Sequence, residues 1–505
     1  MIRFLIPLFL LSAAVAAGQT RDEKVRGDRE KVTKEGFWIY NDLPAAFNQA
    51  KAQDKPIIVV LRCIPCEECV KLDDELLDND PELRPLLEKF IRARQVATNG
   101  LNLDLFQYDT DQSFAVFLLN ADGTIYSRFG TRSHRTEWFG DVSIKGLTSA
   151  MRRTLELHKN YPANQSLFVG KRGKPLEVSS PENFPSLKDK FTDRLNYQGN
   201  VVKSCIHCHQ IGDARREWYR NAGKPIPQRL VFPYPHPKIL GLTIDPDSMG
   251  SVKVVADNSI ASAAGLTAGD VIKTMNGQAI LSIADMQWVL ENVDPIDAQA
   301  SVDVTFGRDG ENKTTSLTLP LRWREKGDIS WRVSSWPYRR MVTGGMLLES
   351  LDHDRRNKLG IAKDAMALRV KHVGKYGPHA AAKKAGVKQD DVVVQYDGRT
   401  DLLTDSALLA YGIKTLKIGD RIEVELLRGG AQKTVTIPIQ KLVSVSMGAK
   451  FSGGSHAIPT ADHSVCSVYS VDTPLASKPH RTEVGGDVAA RSIYEKTACE
   501  RFASG

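Results

Sequence analysis

Two groups of closely spaced cysteines are the residues of this chain most suited to chemistry. In the first group, Cys205 and Cys208 are followed directly by His209, a C-x-x-C-H spacing. This spacing lets two thiols reach one porphyrin edge while the next imidazole ligates the iron, so it predicts one covalently bound haem c with His209 as proximal ligand. A zinc site that also uses His207, or a simple disulfide, is the alternative.

A second iron ligand has three candidates in the sequence. His236 is the first choice, because the prolines on both sides would hold it rigidly. Met249 and His158 are the other two. A surface histidine in a linker is the alternative interpretation of His236.

The second group is Cys63, Cys66 and Cys69. It follows the apolar, β-branched run at residues 57–61, which predicts a strand buried on both faces, and it precedes helical spacing at residues 70–77. Close sets of thiols in an exported chain indicate a redox pair or a metal ion bound by the cluster, rather than scattered structural disulfides.

Composition and termini limit the function classes. The chain has 505 residues and a net charge of +8 that is spread along its length, so nucleic acid is not an expected partner. Residues 1–17 combine Arg3, a short apolar run and a small-residue cleavage site, which predicts a signal peptide and a periplasmic or secreted location. No later run is long enough to span a bilayer, so stable membrane insertion is not expected. The charged residues 21–32 predict disorder.

The elements around the second cysteine group resemble a secreted thioredoxin-like domain of the thioredoxin-7 kind. The resemblance includes a helix at residues 42–53, the buried strand, the cysteine turn, and a hairpin at residues 114–126. It implies that Cys66 is the nucleophile and Cys69 the resolving thiol, with Cys63 as an extra thiol. The cis-proline that thioredoxins place before the third strand is missing near Ser113, and this departure weakens the dithiol interpretation and strengthens that of metal binding by Cys63, Cys66 and Cys69.

Two later regions resemble PDZ domains of the HtrA type. The first carries Leu240-Gly241-Leu242 and the run Ala-Gly-Leu-Thr-Ala-Gly-Asp ending at Asp270; the second carries Leu359-Gly360-Ile361 and a matching run ending at Asp391. The resemblance implies that backbone N–H groups of Leu240, Gly241, Leu242, Leu359, Gly360 and Ile361 bind the C-terminus of an exported protein or peptide. Asp390 replaces an expected glycine, which the readiness of Asp to adopt left-handed backbone allows.

The whole chain resembles exported planctomycete-type proteins that join thioredoxin-7 and PDZ domains. The predicted fold is multidomain: an α/β thioredoxin-like domain, a short irregular or helical C-x-x-C-H segment and two β-rich (α+β) PDZ domains. The predicted parts are a signal peptide, the thioredoxin-like domain, the C-x-x-C-H segment, PDZ domain 1, a Trp/Arg-rich linker, PDZ domain 2 and a disordered tail, at residues 1–17, 33–160, 161–237, 238–322, 323–344, 345–440 and 441–505.

Two functions follow from this organisation. The first is an exported thiol-redox or electron-transfer protein that recruits clients through its PDZ domains. The alternative is a non-enzymatic PDZ scaffold whose cysteines are structural or bind metal. A serine protease is not expected, because no G-x-S-G-G nucleophile turn is present and Gly453-Gly454-Ser455 lies in the tail.

Overall fold

The computed structural model describes residues 20–62, 80–112, 114–130, 142–294 and 298–441. The predicted signal peptide, the cysteines Cys63, Cys66 and Cys69, and residues 442–505 of the predicted tail lie outside these residues. Within the described ranges, no helix combines the length and apolar character needed to cross a membrane.

The charged stretch after the predicted signal peptide is a helix, so the prediction of disorder there was wrong. Helix α1 (Arg21–Glu35) begins with a capping box in which Thr20 and Glu23 satisfy each other's backbone N–H groups. Its only apolar residues, Val25 and Val32, are seven positions apart and both are buried. Two apolar positions on one helical face dock α1, although the rest of its sequence is polar.

The thioredoxin-like part is a five-stranded sheet in the order β1-β3-β2-β4-β5. Strands β1, β3 and β2 are parallel, β4 is antiparallel to β2, and β5 is antiparallel to β4. The strands are β1 (Ile39–Tyr40), β2 (Ile57–Arg62), β3 (Ile91–Gln95), β4 (Phe114–Leu119) and β5 (Ile125–Gly130). The helices are α2 (Leu43–Gln53), α3 (Leu83–Leu87) and α4 (Ile144–Lys159).

Strand β2 lies at the centre of this sheet, and all six of its residues are buried. Its alternate side chains enter two hydrophobic clusters, one containing Ile58 and Val60 and the other Ile57, Val59 and Leu61. The continuous apolar run at residues 57–61 therefore forms the doubly buried strand that the sequence predicts.

The C-x-x-C-H segment is largely irregular. Its helices are α5 (Cys208–Asn221) and α6 (Gln228–Val231), and short 3₁₀ turns occur at Gln165–Leu167, Val169–Lys171, Pro181–Asn183, Val202–Ser204 and Pro237–Leu240. Residues 187–197, which have helical spacing in the sequence, form turns instead.

Two repeats follow. The first repeat consists of β6 (Leu242–Ile244), β7 (Val252–Val255), α7 (Ile260–Ala263), β8 (Val271–Met275), β9 (Gln278–Ala279), α8 (Ile283–Glu291), β10 (Ala300–Arg308) and β11 (Glu311–Leu319). Helix α9 (Ser335–Thr343) leads into the second repeat. This consists of β12 (Met346–Ser350), α10 (His353–Lys358), β13 (Leu368–Val373), α11 (Ala381–Lys384), β14 (Val392–Tyr396), α12 (Asp405–Thr415), β15 (Arg421–Arg428) and β16 (Ala431–Pro438).

The two repeats share an arginine–aspartate ion pair and a left-handed turn residue at equivalent positions. Arg308 pairs with Asp270 in the first repeat, and Arg428 pairs with Asp391 in the second, both at 2.6 Å. In each repeat the same arginine also donates to the carbonyl of the glycine that ends the preceding helical turn. Asp390 adopts φ +69°, so it takes the left-handed conformation expected of the glycine that it replaces.

The predicted linker does not merely connect the repeats, because helix α9 belongs to the second hydrophobic core. Met341 and Val342 are fully buried there with Met346 of β12. Leu230 and Val231 of α6 enter the same cluster. The second repeat is therefore completed by residues from two segments that precede it in the sequence.

Candidate functional site

The C-x-x-C-H motif is fastened to the loop that follows β3. The backbone N–H and hydroxyl of Thr98 donate to the carbonyl of Ile206 at 3.0 and 2.8 Å. The side chain of Asn99 accepts from the Ile206 N–H at 2.8 Å and donates to the carbonyl of Ser204 at 2.9 Å. Ile206 itself is fully buried in the cluster beneath β2. The motif is thus a fixed part of the thioredoxin-like domain.

The same edge of the sheet is where the second cysteine group begins. Strands β2 and β3 are parallel, with Leu61 paired to Gln95, so both end at one edge. Strand β2 ends at Arg62, and Cys63 is the next residue. Cys63, Cys66 and Cys69 lie outside the described residues, so only Arg62, the residue before this group, is placed at the edge that carries the C-x-x-C-H motif.

Cys205 is sealed inside the protein. It is 4% exposed, and its thiol donates to the carbonyl of Val201 at 3.2 Å. Asp22 of α1 accepts from the Val201 N–H at 2.9 Å, so α1 covers this region. Burial, with a smaller contribution from Asp22, raises the pKa of Cys205 to about 12. Cys205 is therefore a protonated, unreactive thiol at neutral pH.

Cys208 has a different environment. It is the first residue of α5, it is partly exposed, and the hydroxyl of Tyr108 donates to its sulfur at 3.0 Å. A helix N-terminus and a hydroxyl donor both favour negative charge on sulfur. Of the two thiols in the motif, Cys208 is the one placed to react.

The two histidines of the motif stack on each other. The rings of His207 and His209 are nearly parallel, with centroids 5.8 Å apart. Burial, followed by the proximity of His209 and Arg21, lowers the pKa of His207 to about 4. His207 is therefore neutral at pH 7 and packs as an aromatic side chain.

As folded, the motif does not fit a haem c. Cys205 and His207 have extended backbone, with ψ of 129° and 150°, which spreads the two thiols along the chain. Cys205 lies under α1, whereas Cys208 faces Tyr108. Covalent attachment needs both sulfurs on one open porphyrin edge, and α1 would have to leave Cys205 first. Covalent haem therefore stays a prediction of the sequence.

The two alternatives for the motif also lack support. Both thiols are free. Throughout the described ranges, no three or more His, Cys, Asp or Glu side chains are grouped as metal ligands.

The three candidate second ligands have other partners. His236 caps a 3₁₀ turn, with its Nδ1 accepting from the Lys238 N–H at 3.2 Å. His158 lies 2.9 Å from the hydroxyl of Tyr126. Met249 packs against the hydrophobic cluster that contains Trp38. The structure therefore does not identify any of the three as the second ligand of an iron bound by His209.

The predicted peptide-binding loop of the first repeat precedes β6. Gly241 has φ +86°, and its N–H donates to the carbonyl of Lys238 at 3.0 Å. Leu240 lies in the 3₁₀ turn before it, and Leu242 begins β6 and pairs with Val255. The N–H of Gly241 is already bonded, so a peptide carboxylate would have to displace that bond.

In the second repeat the predicted loop is a different structure. The N–H groups of Leu359, Gly360 and Ile361 donate to carbonyls of residues 355–357, so these residues end helix α10. They lie between β12 and β13, not before β12. The Leu-Gly-Ile sequence resembles the first loop because a helix end and a strand entry both accept a glycine at positive φ.

The counterpart of Gly241 in the second repeat is Gly345. Leu242 pairs with Val255 and Met346 with Val373, and each ladder shifts register between the next two residues. Gly241 accepts from the N–H of Ala256 at 2.9 Å, and Gly345 accepts from the N–H of Gly374 at 3.0 Å. Gly345 has φ +93°, close to that of Gly241. The candidate loop of the second repeat is therefore residues 344–346.

Helix α8 of the first repeat packs directly on the thioredoxin-like domain. Asp285 accepts from the hydroxyl of Ser127 at 2.8 Å and from the N–H of Arg128 at 3.1 Å, both on β5. It also forms a 2.8 Å ion pair with Lys171, and both side chains are 1% exposed. The guanidinium of Arg128 lies 3.6 Å above the ring of Trp288. The first repeat and the thioredoxin-like domain therefore share a buried polar interface.

The Trp/Arg segment supplies a second such contact. Arg332 donates to Asp109 at 2.6 Å and to Asp111 at 3.2 Å, and all three side chains are buried. Ser334 adds two hydrogen bonds to Asp111. These aspartates lie in the loop before β4, whose first residue, Phe114, pairs with Arg62. The Trp/Arg segment therefore packs the domains together rather than serving only as a connection.

Comparisons with known proteins agree with this architecture. Residues 38–121 match a family model described as thioredoxin-like. A probable periplasmic serine endoprotease, DegP-like, from Marinomonas sp. is 26% identical over 187 residues, which cover 37% of this chain and 36% of that protein. A serine protease Do-like HtrB from Bacillus subtilis is 31% identical over 87 residues, covering 17% and 19% of the two chains.

A solved HtrA-type protease, AlgW with a decapeptide, is 12% identical and covers 28% of this chain and 50% of that chain, with a TM-score of 0.18. The chain spans between 19% and 37% of the length of the curated relatives. The chain thus joins a thioredoxin-like domain to a PDZ-type architecture related to HtrA and DegP proteins.

Proposed function

We propose that this chain is an exported thiol-redox protein whose thioredoxin-like domain acts on a client held by the two repeats. The thiolate of Cys66 attacks a client disulfide, forming a mixed disulfide and releasing one client thiolate. Cys69 then attacks the Cys66 sulfur and releases the second client thiolate. The client gains two electrons, Cys66 and Cys69 become a disulfide, and an external dithiol reduces that disulfide again.

The observation that carries this proposal is the position of Arg332. Its buried pairing with Asp109 and Asp111 anchors the segment between the repeats at the edge where Arg62 ends β2. The residue after Arg62 begins the cysteine group. A client bound by the repeats would therefore be held at a fixed orientation relative to the end of β2, after which the cysteine group follows in the sequence, rather than on a flexible tether.

Client binding is supported by two strand edges. Among the described strands, β6 pairs only with β7, and β12 pairs only with β13. A peptide can add to such an edge through backbone hydrogen bonds. In the second repeat, the N–H groups of Gly344 and Gly345 donate to the carbonyl of Arg339, and the N–H of Met346 donates to the hydroxyl of Thr343. These N–H groups are therefore already bonded and not available to a peptide carboxylate. Strand addition, rather than capture of a terminal carboxylate, is therefore the better supported contact.

A non-enzymatic scaffold is the second candidate. It is favoured by the environment of Cys205, which is sealed and protonated, and by the four hydrogen bonds that the C-x-x-C-H motif makes with Thr98 and Asn99, which make it part of the core. In that case the repeats would bind peptides and the cysteines would serve packing alone.

Reduction of a disulfide substrate separates the two candidates. The full chain, supplied with dithiothreitol, is tested for reduction of the insulin disulfides, with Cys66→Ser/Cys69→Ser as the inactive variant and Cys205→Ser/Cys208→Ser as the matched control. The redox proposal expects the first variant to lose the activity and the control to keep it. Equal rates of insulin reduction for the unmodified chain and both variants would contradict the redox proposal and favour the non-enzymatic scaffold.

A visible spectrum tests the haem separately. Full-length protein made in a host that matures c-type cytochromes is examined for a Soret band and a reduced α-band. A covalent haem that disappears in Cys205→Ala would show that α1 leaves Cys205 during maturation. Colourless protein would agree with the buried arrangement described here.

A further inference from the structure

A cavity of about 230 Å³ lies between the Pro-rich residues 232–239, the Trp/Arg segment at residues 324–332, and Gln287 of α8. We call it the Trp331 cavity. None of its lining residues belongs to the C-x-x-C-H motif, to β6 or to β12. Neither the redox proposal nor the scaffold alternative uses it.

The apolar wall of the cavity is made of ring side chains, two of them prolines and two of them aromatic. Pro233, Tyr234, Pro235 and Trp331 all line it. The indole N–H of Trp331 donates to the carbonyl of Asp328 at 2.9 Å, and the guanidinium of Arg332 lies 4.6 Å from its ring centroid. The indole is therefore held in place before anything binds, which lowers the entropy cost of binding a flat molecule against it.

The charged groups that line the cavity are mostly basic: four cationic side chains face one carboxylate, Asp328, which accepts hydrogen bonds from the Ser330 N–H at 2.8 Å and the Ser406 hydroxyl at 2.9 Å. Arg324 and Arg332 also line it, but each is neutralised by a buried carboxylate, Glu291 for the first and Asp109 for the second. Lys238 and Lys326 are exposed lining residues. No acidic side chain in the described part of the chain lies within ion-pair distance of either lysine.

The backbone of Tyr234 adds an independent sign of a binding site. Tyr234 has φ +47°, an unfavourable conformation for a residue with a Cβ. Two side chains of α8 keep it there: Glu291 accepts from its N–H at 2.9 Å and Gln287 donates to its carbonyl at 3.0 Å. Strain that the surroundings hold in this way concentrates at ligand sites.

We infer that the Trp331 cavity binds a small carboxylate attached to a flat apolar ring. The ring lies against the prolines and Trp331, and the carboxylate faces Lys238 and Lys326. A free aromatic acid and the C-terminal residue of a peptide ending in phenylalanine both present this chemistry, so the source is left to the test. The inference does not depend on the redox proposal.

The test measures binding to the full chain by isothermal titration calorimetry. The probes are phenylacetate and the free-acid peptide acetyl-Ala-Ala-Phe, each with its neutral amide as the uncharged match. Two exposed lysines contribute modestly, so Lys238→Ala/Lys326→Ala should weaken binding of the acids about five- to tenfold. Trp331→Ala should weaken both the acids and the amides.

The control is Lys253→Ala/Lys433→Ala, two exposed lysines away from the cavity. The inference is supported if the acids bind more tightly than their amides and the control variant binds like the unmodified chain. The acid that binds more tightly then shows whether the ligand is a free aromatic acid or a peptide C-terminus. Amides that bind as tightly as acids, no binding at millimolar concentration, or equal affinity in all variants would overturn it. None of these outcomes alters insulin reduction, so the failure of one proposal is distinguishable from that of the other.

Discussion

The hydroxyl of Tyr108 donates a 3.0 Å hydrogen bond to the sulfur of Cys208. Tyr108 lies in the loop that joins β3 to β4, whereas Cys208 begins α5, one hundred residues later. This contact and the hydrogen bonds to Ile206 make the C-x-x-C-H motif an extension of the thioredoxin-like sheet edge. They also give its two thiols opposite environments.

The thiols of this motif should differ in reactivity. With iodoacetamide at pH 8, Cys208 should be alkylated in the native protein, whereas Cys205 should react only after unfolding, because its pKa is raised to about 12. Peptide mass spectrometry of native and urea-treated samples measures both sites. Native labelling of Cys205 at the rate of Cys208 would show that α1 does not seal it.

His207 should make the protein sensitive to acid. Its folded pKa of about 4 lies below the usual 6.5, so the unfolded chain binds the extra proton as the pH falls from 6.5 to 4. The free energy of unfolding should fall by about 1–3 kcal/mol across this window. The variant His207→Asn keeps His209 and should not show this acid-dependent loss of stability. Urea unfolding at pH 7 and pH 4.5 measures the free energy of unfolding of the unmodified chain and of His207→Asn. The same change with pH in both proteins would contradict the account.

The Lys171–Asp285 pair should respond asymmetrically to substitution. Asp285→Asn leaves the ammonium of Lys171 buried and unpaired, which should cost about 3–5 kcal/mol. Lys171→Met leaves Asp285 with donors from Ser127, Arg128 and Leu281, so its cost should be smaller. The double variant should recover part of the loss in urea unfolding. Additive effects of the two changes would mean that the pair is not coupled.

Asp390 should reveal the backbone requirement of its turn. Alanine at φ +69° is strained, so Asp390→Ala should be about 1 kcal/mol less stable than Asp390→Gly. Both variants lose the 2.7 Å pair with Arg369, and their difference therefore isolates the backbone. Gly269→Ala, at the equivalent φ +93°, is the matched control in the first repeat. Equal stability of the two Asp390 variants would contradict the assignment.

Local elements were predictable because local chemistry decides them. The predicted strand at residues 57–61, helix at residues 42–53 and hairpin at residues 114–126 correspond to β2, α2 and the β4–β5 pair, and each is specified without help from distant residues. The repeat was also visible, since Asp270 and Asp391 mark the same turn in both copies. These features are fixed within a few residues of sequence.

The relations between domains were not predictable. Arg332 and Asp109 are 223 residues apart, and an arginine in a Trp-rich linker is equally consistent with an exposed cation. Helix α1 has only two apolar residues, too few for a periodic signal. The second loop was misplaced because Leu359-Gly360-Ile361 matches the first loop in letters, whereas Gly344-Gly345-Met346 matches it in strand register.

The central claim, redox chemistry at the edge where β2 ends, is tested most directly by a redox titration of the full chain. The protein is equilibrated with glutathione buffers, and the state of each cysteine is read by differential alkylation and mass spectrometry. Cys66 and Cys69 should interconvert reversibly between dithiol and disulfide within about −120 to −270 mV, while Cys205 stays reduced. A Cys66–Cys69 pair that stays in one state across this range would contradict the account.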